Sequence, residues 1–396
     1  MSIEQLPKDA GVLICGHGSR AKIAEREFSL LARGLKERFP DLKVDYGFLE
    51  YSAPNIHMAL DNLVAQGVKK IYAVPGMLFA ATHAKNDIPS VLSTYKARHP
   101  DLEIEYGKEL GLHPEMIRAF EARILEAAGI KTQPAAGELY DTMLITVGRG
   151  TSVTDANAEA AKLTRIVCEN LGFGWADTVY SGVTFPSVGR GLEMAAKLGF
   201  KKIIVAPYFL FGGRLIERIH GYIDKVAAEN PDICFLKAGY LRDQSHVINT
   251  FIERIEETIA GNIKEANRGL SLMEDFEDRL ARGEVDIHHH HAEFQPEILD
   301  PQDDEADSAS AQTQHSPSDS HSHNHSHNHS HNHSHNHSHS HAPYKHIGHP
   351  HGPRTMINDN ICCCFMGQFP DEIIEIEKAQ KAIREGTPRC KRPQQA

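Results

Sequence analysis

The chain repeats itself at an interval of 132 residues. Gly16 recurs as Gly148, Gly18 as Gly150, Pro54 as Pro186 and Gly67 as Gly199. The Lys69-Lys70 pair recurs as Lys201-Lys202, Pro75 as Pro207 and Gly107 as Gly239. Turn residues that hold one register over so long a span mark a duplicated domain of about 130 residues. In the first copy, apolar runs predict strands over 11–16, 43–49, 70–75 and 102–106. Helical spacing predicts helices over 21–38, 55–66, 88–98 and 114–127, with 80–87 a loop or helix start. Strands alternating with helices imply a parallel sheet covered on both faces. The expected fold is α/β: two tandem, flavodoxin-like, three-layer domains with parallel sheets over 1–130 and 131–262.

In such sheets ligands bind outside the carboxyl ends of the strands. His17 lies between Gly16 and Gly18 directly after the first strand, Glu50 follows the second and His83 the third. Gly-His-Gly alone reads equally well as a structural bend. Three ionisable side chains converging on one sheet edge read as a site. The second copy lacks this chemistry, because His17 becomes Arg149, Glu50 becomes Gly182 and His83 becomes Leu215, with Arg214 beside it. The first half is thus expected to supply metal and proton chemistry. The second half offers Arg149 and Arg214 to an anionic substrate, since guanidinium pairs well with carboxylate; the reading of both as solvated surface charges stays open. Two imidazoles on neighbouring loops can hold a divalent ion with coordination positions left open. Either can accept a proton near neutral pH, with Glu50 as a further proton acceptor or electrostatic partner.

Other chemistries find no support. Neither a Walker loop nor Gly-x-Gly-x-x-Gly is present, so no nucleotide is implied, and Gly-x-Ser-x-Gly is absent. His57 falls inside a helix, and His99, His113, His220 and His246 stand alone, as structural or surface residues do.

The stretches Gly16-His-Gly-Ser-Arg20, Phe48-Leu-Glu-Tyr-Ser-Ala-Pro54 and Val74-Pro-Gly-Met-Leu-Phe-Ala-Ala-Thr-His-Ala-Lys-Asn-Asp-Ile-Pro89 together resemble the sirohydrochlorin cobaltochelatase family, the CbiX type, in its long tandem form. The resemblance covers about residues 11–260 and implies an ATP-independent class II chelatase that inserts Co²⁺ into sirohydrochlorin during cobalamin synthesis. By motif position it makes His17 a proton acceptor and metal ligand, and His83 the second ligand. Glu50 and the segment Leu78, Phe79, Ala80, Ala81, Thr82 and His83 are implied to contact the tetrapyrrole, whose carboxylates suit Arg149 and Arg214. Iron or nickel in place of cobalt is not distinguished by these residues, and a metal store or metallochaperone is the reading from another class.

Charge divides the chain once more. Its net −11 belongs mostly to residues 263–396, which carry 12 basic against 21 acidic residues; residues 1–262 carry 30 against 32. A nearly neutral body offers no basic face for nucleic acid. No apolar run is long enough to span a membrane, and the N-terminus lacks the features of a signal peptide. Cys15, Cys168 and Cys234 lie in apolar runs and read as reduced core residues, so the expected compartment is cytoplasmic. Residues 263–287 read as a helical linker, with a helix over 262–282 anchored by Ile263, Leu270, Leu272 and Phe276. In 288–351 lie 19 of the 26 histidines, alternating with Ser or Asn from His321 to His341. So little apolar content predicts a disordered arm that concentrates metal near His17 and His83. Residues 352–396 carry Cys362, Cys363, Cys364 and Cys390. Long members of the family carry a Cys-x-x-Cys associated with an iron–sulfur cluster, and this chain departs from that spacing, so a cluster on these four thiols and no cluster are both open readings.

Overall fold

The computed structural model describes residues 2–19, 21–182, 184–264, 269–285 and 287. The histidine-rich arm over 288–351 and the segment 352–396, with Cys362, Cys363, Cys364 and Cys390, lie outside the described residues.

The first half runs β1 (Ala10–Gly16), α1 (Lys22–Arg38), β2 (Lys43–Phe48), α2 (Ile56–Ala65), β3 (Lys70–Pro75), a π-helical turn (His83–Asp87), α3 (Ile88–Arg98), β4 (Glu103–Tyr106) and α4 (Pro114–Ala128). The second runs β5 (Thr142–Gly148), α5 (Thr154–Leu171), β6 (Trp175–Tyr180), α6 (Val188–Ala196), β7 (Lys202–Pro207), α7 (Arg214–Glu229), β8 (Cys234–Lys237) and α8 (Ser245–Ile259). A last helix, α9 (Leu272–Ala281), follows. The sheets are wholly parallel, in the orders β2-β1-β3-β4 and β6-β5-β7-β8. Every residue of the central strands β1 and β5 is buried, as expected of a strand covered on both faces.

Three apolar clusters account for the layers. One combines Leu13, Leu60, Ile71 and Leu92 on the outer face of the first sheet, and another Ile145, Leu192, Ile203 and Ile219 on the outer face of the second. The third is common to both halves: Val12, Phe28, Phe120, Leu144, Leu163, Tyr208 and Phe251 belong to one buried core. The duplicated domains are therefore joined by shared burial, the dominant favourable contribution to association, and their site-bearing edges are fixed relative to each other.

The copies match more closely in backbone than in sequence. Cis bonds precede Pro54 and Pro186, and isolated parallel bridges join Phe48 to Asn55 and Tyr180 to Ser187. The offset is not constant, however. Lys70 pairs with Glu103 while Lys202 pairs with Cys234, so from β4 onward the interval falls to 131. The amide of Gly107 reaches Ala73 as that of Ala238 reaches Val205, which makes Ala238, not Gly239, the counterpart of Gly107.

Two further expectations need correction. Cys15 is buried, but Cys168 is only half-buried and Cys234 is exposed, because β8 is an edge strand. The linker helix is shorter than its sequence span: it begins after Ser271, whose side chain accepts the Glu274 amide while Glu274 accepts the Ser271 amide. That reciprocal capping box fixes the start. Leu272 and Phe276 are buried as anchors, whereas Ile263 and Leu270 precede the helix. Among the described residues no helix is long and apolar enough to cross a membrane.

Candidate metal-handling site

His17 and His83 follow the adjacent strands β1 and β3, and their Nε2 atoms stand 3.0 Å apart. The rings meet edge to face, with centroids 4.3 Å apart. The other nitrogen of each ring settles what that approach means. His17 Nδ1 lies 2.9 Å from the Gly18 carbonyl oxygen, which can only accept, so Nδ1 carries the proton. His83 Nδ1 lies 2.6 Å from the Asp87 carboxylate and donates in the same way. In a neutral ring Nε2 then carries the lone pair, and the two Nε2 atoms face each other at hydrogen-bonding distance. Such a pair is satisfied by a cation or by one shared proton. At a metal–nitrogen distance of about 2.1 Å, this separation corresponds to about 90° at the ion, an angle that leaves several positions open.

Burial, then the neighbouring His83, lower the His17 pKa from 6.5 to about 4. The Gly18 carbonyl and Glu50 oppose that shift, and Arg149 of the second half adds to it. His17 thus offers a lone pair, not a positive charge, through the neutral range. Arg149, exposed at the end of β5, is near enough to the imidazole to act on it electrostatically.

The turn holding His17 is stitched to the end of β2. The Leu49 amide donates to the Gly16 carbonyl and the Glu50 amide to the His17 carbonyl, each at 2.9 Å. Ser52, buried, receives the Ser19 amide at 3.0 Å and returns its hydroxyl proton to the Ser19 carbonyl at 2.9 Å. Gly18 sits at φ +91°, where a Cβ would overlap the Glu50 carbonyl oxygen. Gly150, at φ +79°, stands likewise against the Gly182 carbonyl, and Thr151 and Thr184 reproduce the serine pair. The bend belongs to the scaffold and the imidazole to the first half.

The structure brings the remaining expected residues to this edge unequally. Glu50 is half-buried and acts on His17 through its charge. Leu78 and Phe79 lean on the shared core, Phe79 against Tyr208 with centroids 5.5 Å apart, so they shape the floor of the loop. Ala80 is buried, and Ala81 and Thr82 lead half-buried into the turn at His83. Arg214 is exposed at the first position of α7. Among the described residues no group of three or more His, Cys, Asp or Glu is arranged to hold a metal, and the imidazoles brought together are the two of His17 and His83.

Three contributors were missed in the sequence. Asp87, 1% exposed, fixes the His83 tautomer; its i, i+4 spacing from His83 was a readable signal. Tyr51 lies over His17, with ring centroids 6.4 Å apart, from a backbone position at φ 62°. Glu27, buried on α1, accepts the Gly212 amide at 2.8 Å and the Tyr240 hydroxyl at 2.7 Å, tying the loop before Arg214 to the helix that follows the His17 turn. Nothing in the sequence marks Glu27 beyond an acid on an apolar helix face.

Because the bend is a scaffold requirement, Gly18→Ala and Gly150→Ala should each destabilise the protein by about 2 kcal/mol or more. Thermal unfolding of both variants checks this, and equal melting temperatures in variant and parent would contradict it.

The CbiX family model matches residues 11–127 and again 143–258. The chain is 34% identical over 254 residues to a sirohydrochlorin cobaltochelatase of Priestia megaterium, covering 64% of this chain and 81% of that one. It is 28% identical over 251 residues to a sirohydrochlorin ferrochelatase of Bacillus subtilis, covering 63% and 92%. Among solved structures it is similar to SirB from Bacillus subtilis with Fe³⁺, at TM-score 0.57 and 28% identity, over 64% of this chain and 97% of that one. The cobalt complex of the sirohydrochlorin chelatase SirB from Bacillus subtilis subspecies spizizenii aligns at TM-score 0.54 and 26% identity, over 64% and 96%. With one matched segment on each sheet and the histidine pair confined to the first, the chain belongs to the CbiX family as a tandem of two of its modules.

Proposed function

We propose that this protein inserts a divalent metal, Co²⁺, into sirohydrochlorin without a nucleotide, as a step of cobalamin synthesis. The observation that carries the reading is the pair of Nε2 atoms facing each other at 3.0 Å. An ion held by two neutral imidazoles is held loosely enough to be given away. Transfer to a tetrapyrrole releases two N–H protons, and His83 Nε2, vacated by the metal and backed by Asp87, is placed to accept them in turn and pass them to solvent. Asp87 keeps His83 in the tautomer that serves both steps, and its carboxylate stabilises the imidazolium formed in the second. Glu50 adds negative charge beside His17. Arg149 and Arg214 face a carboxylate-rich substrate from the second half, where guanidinium groups suit paired carboxylate oxygens.

Cobalt is favoured over iron by the higher identity to the Priestia megaterium cobaltochelatase. Iron is the second reading, supported by the ferrochelatase relatives and by the Fe³⁺ complex of a similar fold. Imidazole accepts either ion. The full chain is therefore to be assayed with sirohydrochlorin and Co²⁺, Fe²⁺ or Ni²⁺ in parallel. His17→Ala and His83→Ala should each lower kcat/KM by about 100-fold or more with the preferred metal. Undiminished insertion in both variants removes the pair from the mechanism, and no insertion by the parent chain favours a metal store instead.

Two further outcomes follow from the geometry. Asp87→Asn keeps the shape but not the charge, and should lower the insertion rate about 10- to 100-fold, as loss of a carboxylate behind a metal-binding histidine does. Since His17 keeps its lone pair until the pH falls toward about 4, the acid limb of the rate should lie below pH 6.5. A pH profile with its limb at or above 6.5 counts against His17 as the neutral ligand.

A further inference from the structure

Pro89 leaves the turn that carries His83 short of backbone donors, and the replacements come from outside the helix. The Ile88 amide donates five residues back, to the His83 carbonyl. The next donor in order would be residue 89, where proline has no N–H. Ala84 and Lys85, five and four residues before it, thus lose a partner for their carbonyls. Ala84 is fully buried, and its carbonyl accepts the Tyr106 hydroxyl at 3.0 Å. Burial pushes the Tyr106 pKa well above its usual value, which keeps that donor protonated. The Lys85 carbonyl accepts Arg279 Nη2 at 2.8 Å, and Arg279 Nη1 donates to the Asn86 side-chain oxygen.

Arg279 belongs to α9, outside both segments matched to the family. Its guanidinium is aimed by Asp275, whose carboxylate accepts from Nε at 2.9 Å. The helix is held down by Leu272, which joins the outer core of the first half, and by the fully buried Phe276. Residues 85 and 86, gripped by Arg279, lie between His83 and Asp87. The corresponding helix of the second half, α7, is regular from its first residue and carries no histidine–carboxylate pair at this place.

We propose that Arg279 is a positioning residue for metal transfer: through the Lys85 carbonyl and Asn86 it fixes the π-turn, and so the placement of His83 against His17. The inference rests on the chelatase reading for its catalytic consequence, but the clamp itself can be read without activity. In the full-length protein, Arg279→Gln should speed amide hydrogen exchange in peptides covering 83–95 and leave the strands of the first sheet protected. With saturating metal and sirohydrochlorin, kcat should fall about tenfold or more, because small misplacements of a catalytic group are costly. KM for sirohydrochlorin should stay within about twofold, since the arginine does not meet the tetrapyrrole. Arg279→Lys, able to reach one acceptor of the two, should recover part of the lost kcat. Asn86→Ala, which leaves α9 and its packing intact, should move exchange and kcat in the same direction by less. Unchanged kcat in Arg279→Gln and Asn86→Ala, with or without faster exchange, overturns the proposal, as does unchanged exchange. A parent chain that inserts no metal overturns the chelatase reading instead, and the exchange comparison then still decides whether the clamp exists.

Discussion

Two imidazole Nε2 atoms held 3.0 Å apart are an arrangement that the rest of the fold has to enforce. Left to themselves, the rings of His17 and His83 would turn apart or share a proton. Each is prevented from turning by an acceptor behind it, Gly18 for one and Asp87 for the other. Each is prevented from drifting by its strand. β1 and β3 are neighbours in register, and the Gly76 amide donates to the Cys15 carbonyl at 2.8 Å, so the loops leave the sheet side by side. Burial then disfavours a proton on His17, so its Nε2 offers a lone pair to the space it shares with His83. A site organised before its ligand arrives has little reorganisation left to undergo during reaction.

Duplication supplies a second wall for this edge. Because Phe120, Leu163, Tyr208 and Phe251 lie in one core, the two halves cannot separate without exposing that core, and the relation of Arg149 to His17 is as fixed as the packing beneath it. Glu27 extends the same logic to a loop. It lies on α1 of the first half yet accepts from Gly212 and Tyr240 of the second, and a carboxylate buried to this degree is retained only where donors surround it. The helix that begins just after the His17 turn thereby helps to set the loop that precedes Arg214.

Much of this was legible in the sequence, for identifiable reasons. Turn glycines and prolines have backbone requirements that survive divergence of side chains, so Gly16, Gly18 and Pro54 announced the repeat, and apolar runs announced the parallel strands. Topology then put His17, Glu50 and His83 on one edge without any side-chain information. What escaped was whatever depends on distance. Asp87 reads as one more polar residue of a helix until its carboxylate is found against Nδ1. Cys234 looks interior because its run is apolar, but an edge strand lets it face solvent. The constant offset was itself too simple, since a count over turn residues cannot tell Gly107 opposite Gly239 from Gly107 opposite Ala238.

That single-residue difference bears on why one half carries the histidine pair and the other does not. The loops after β3 and β7 begin in step: the Gly111 amide meets the Leu78 carbonyl as the Arg242 amide meets the Leu210 carbonyl. By β4 and β8 the first half is one residue ahead. The irregular feature between these points is the π-turn, and one added residue within an α-helix is what a π-turn is. The extra residue shifts the backbone partners, as the Ile88 amide shows by reaching His83. Proline at position 89 then withholds the donor that would restore the regular pattern. Counted from the strand, the counterpart of His83 is Leu215; counted back from the helix, it is Arg214. The histidine therefore sits where the two copies part company in backbone as well as in side chain. A substitution of His for Leu215 alone would leave the second half with an imidazole on a regular helix, lacking the displaced turn that sets His83 opposite its partner.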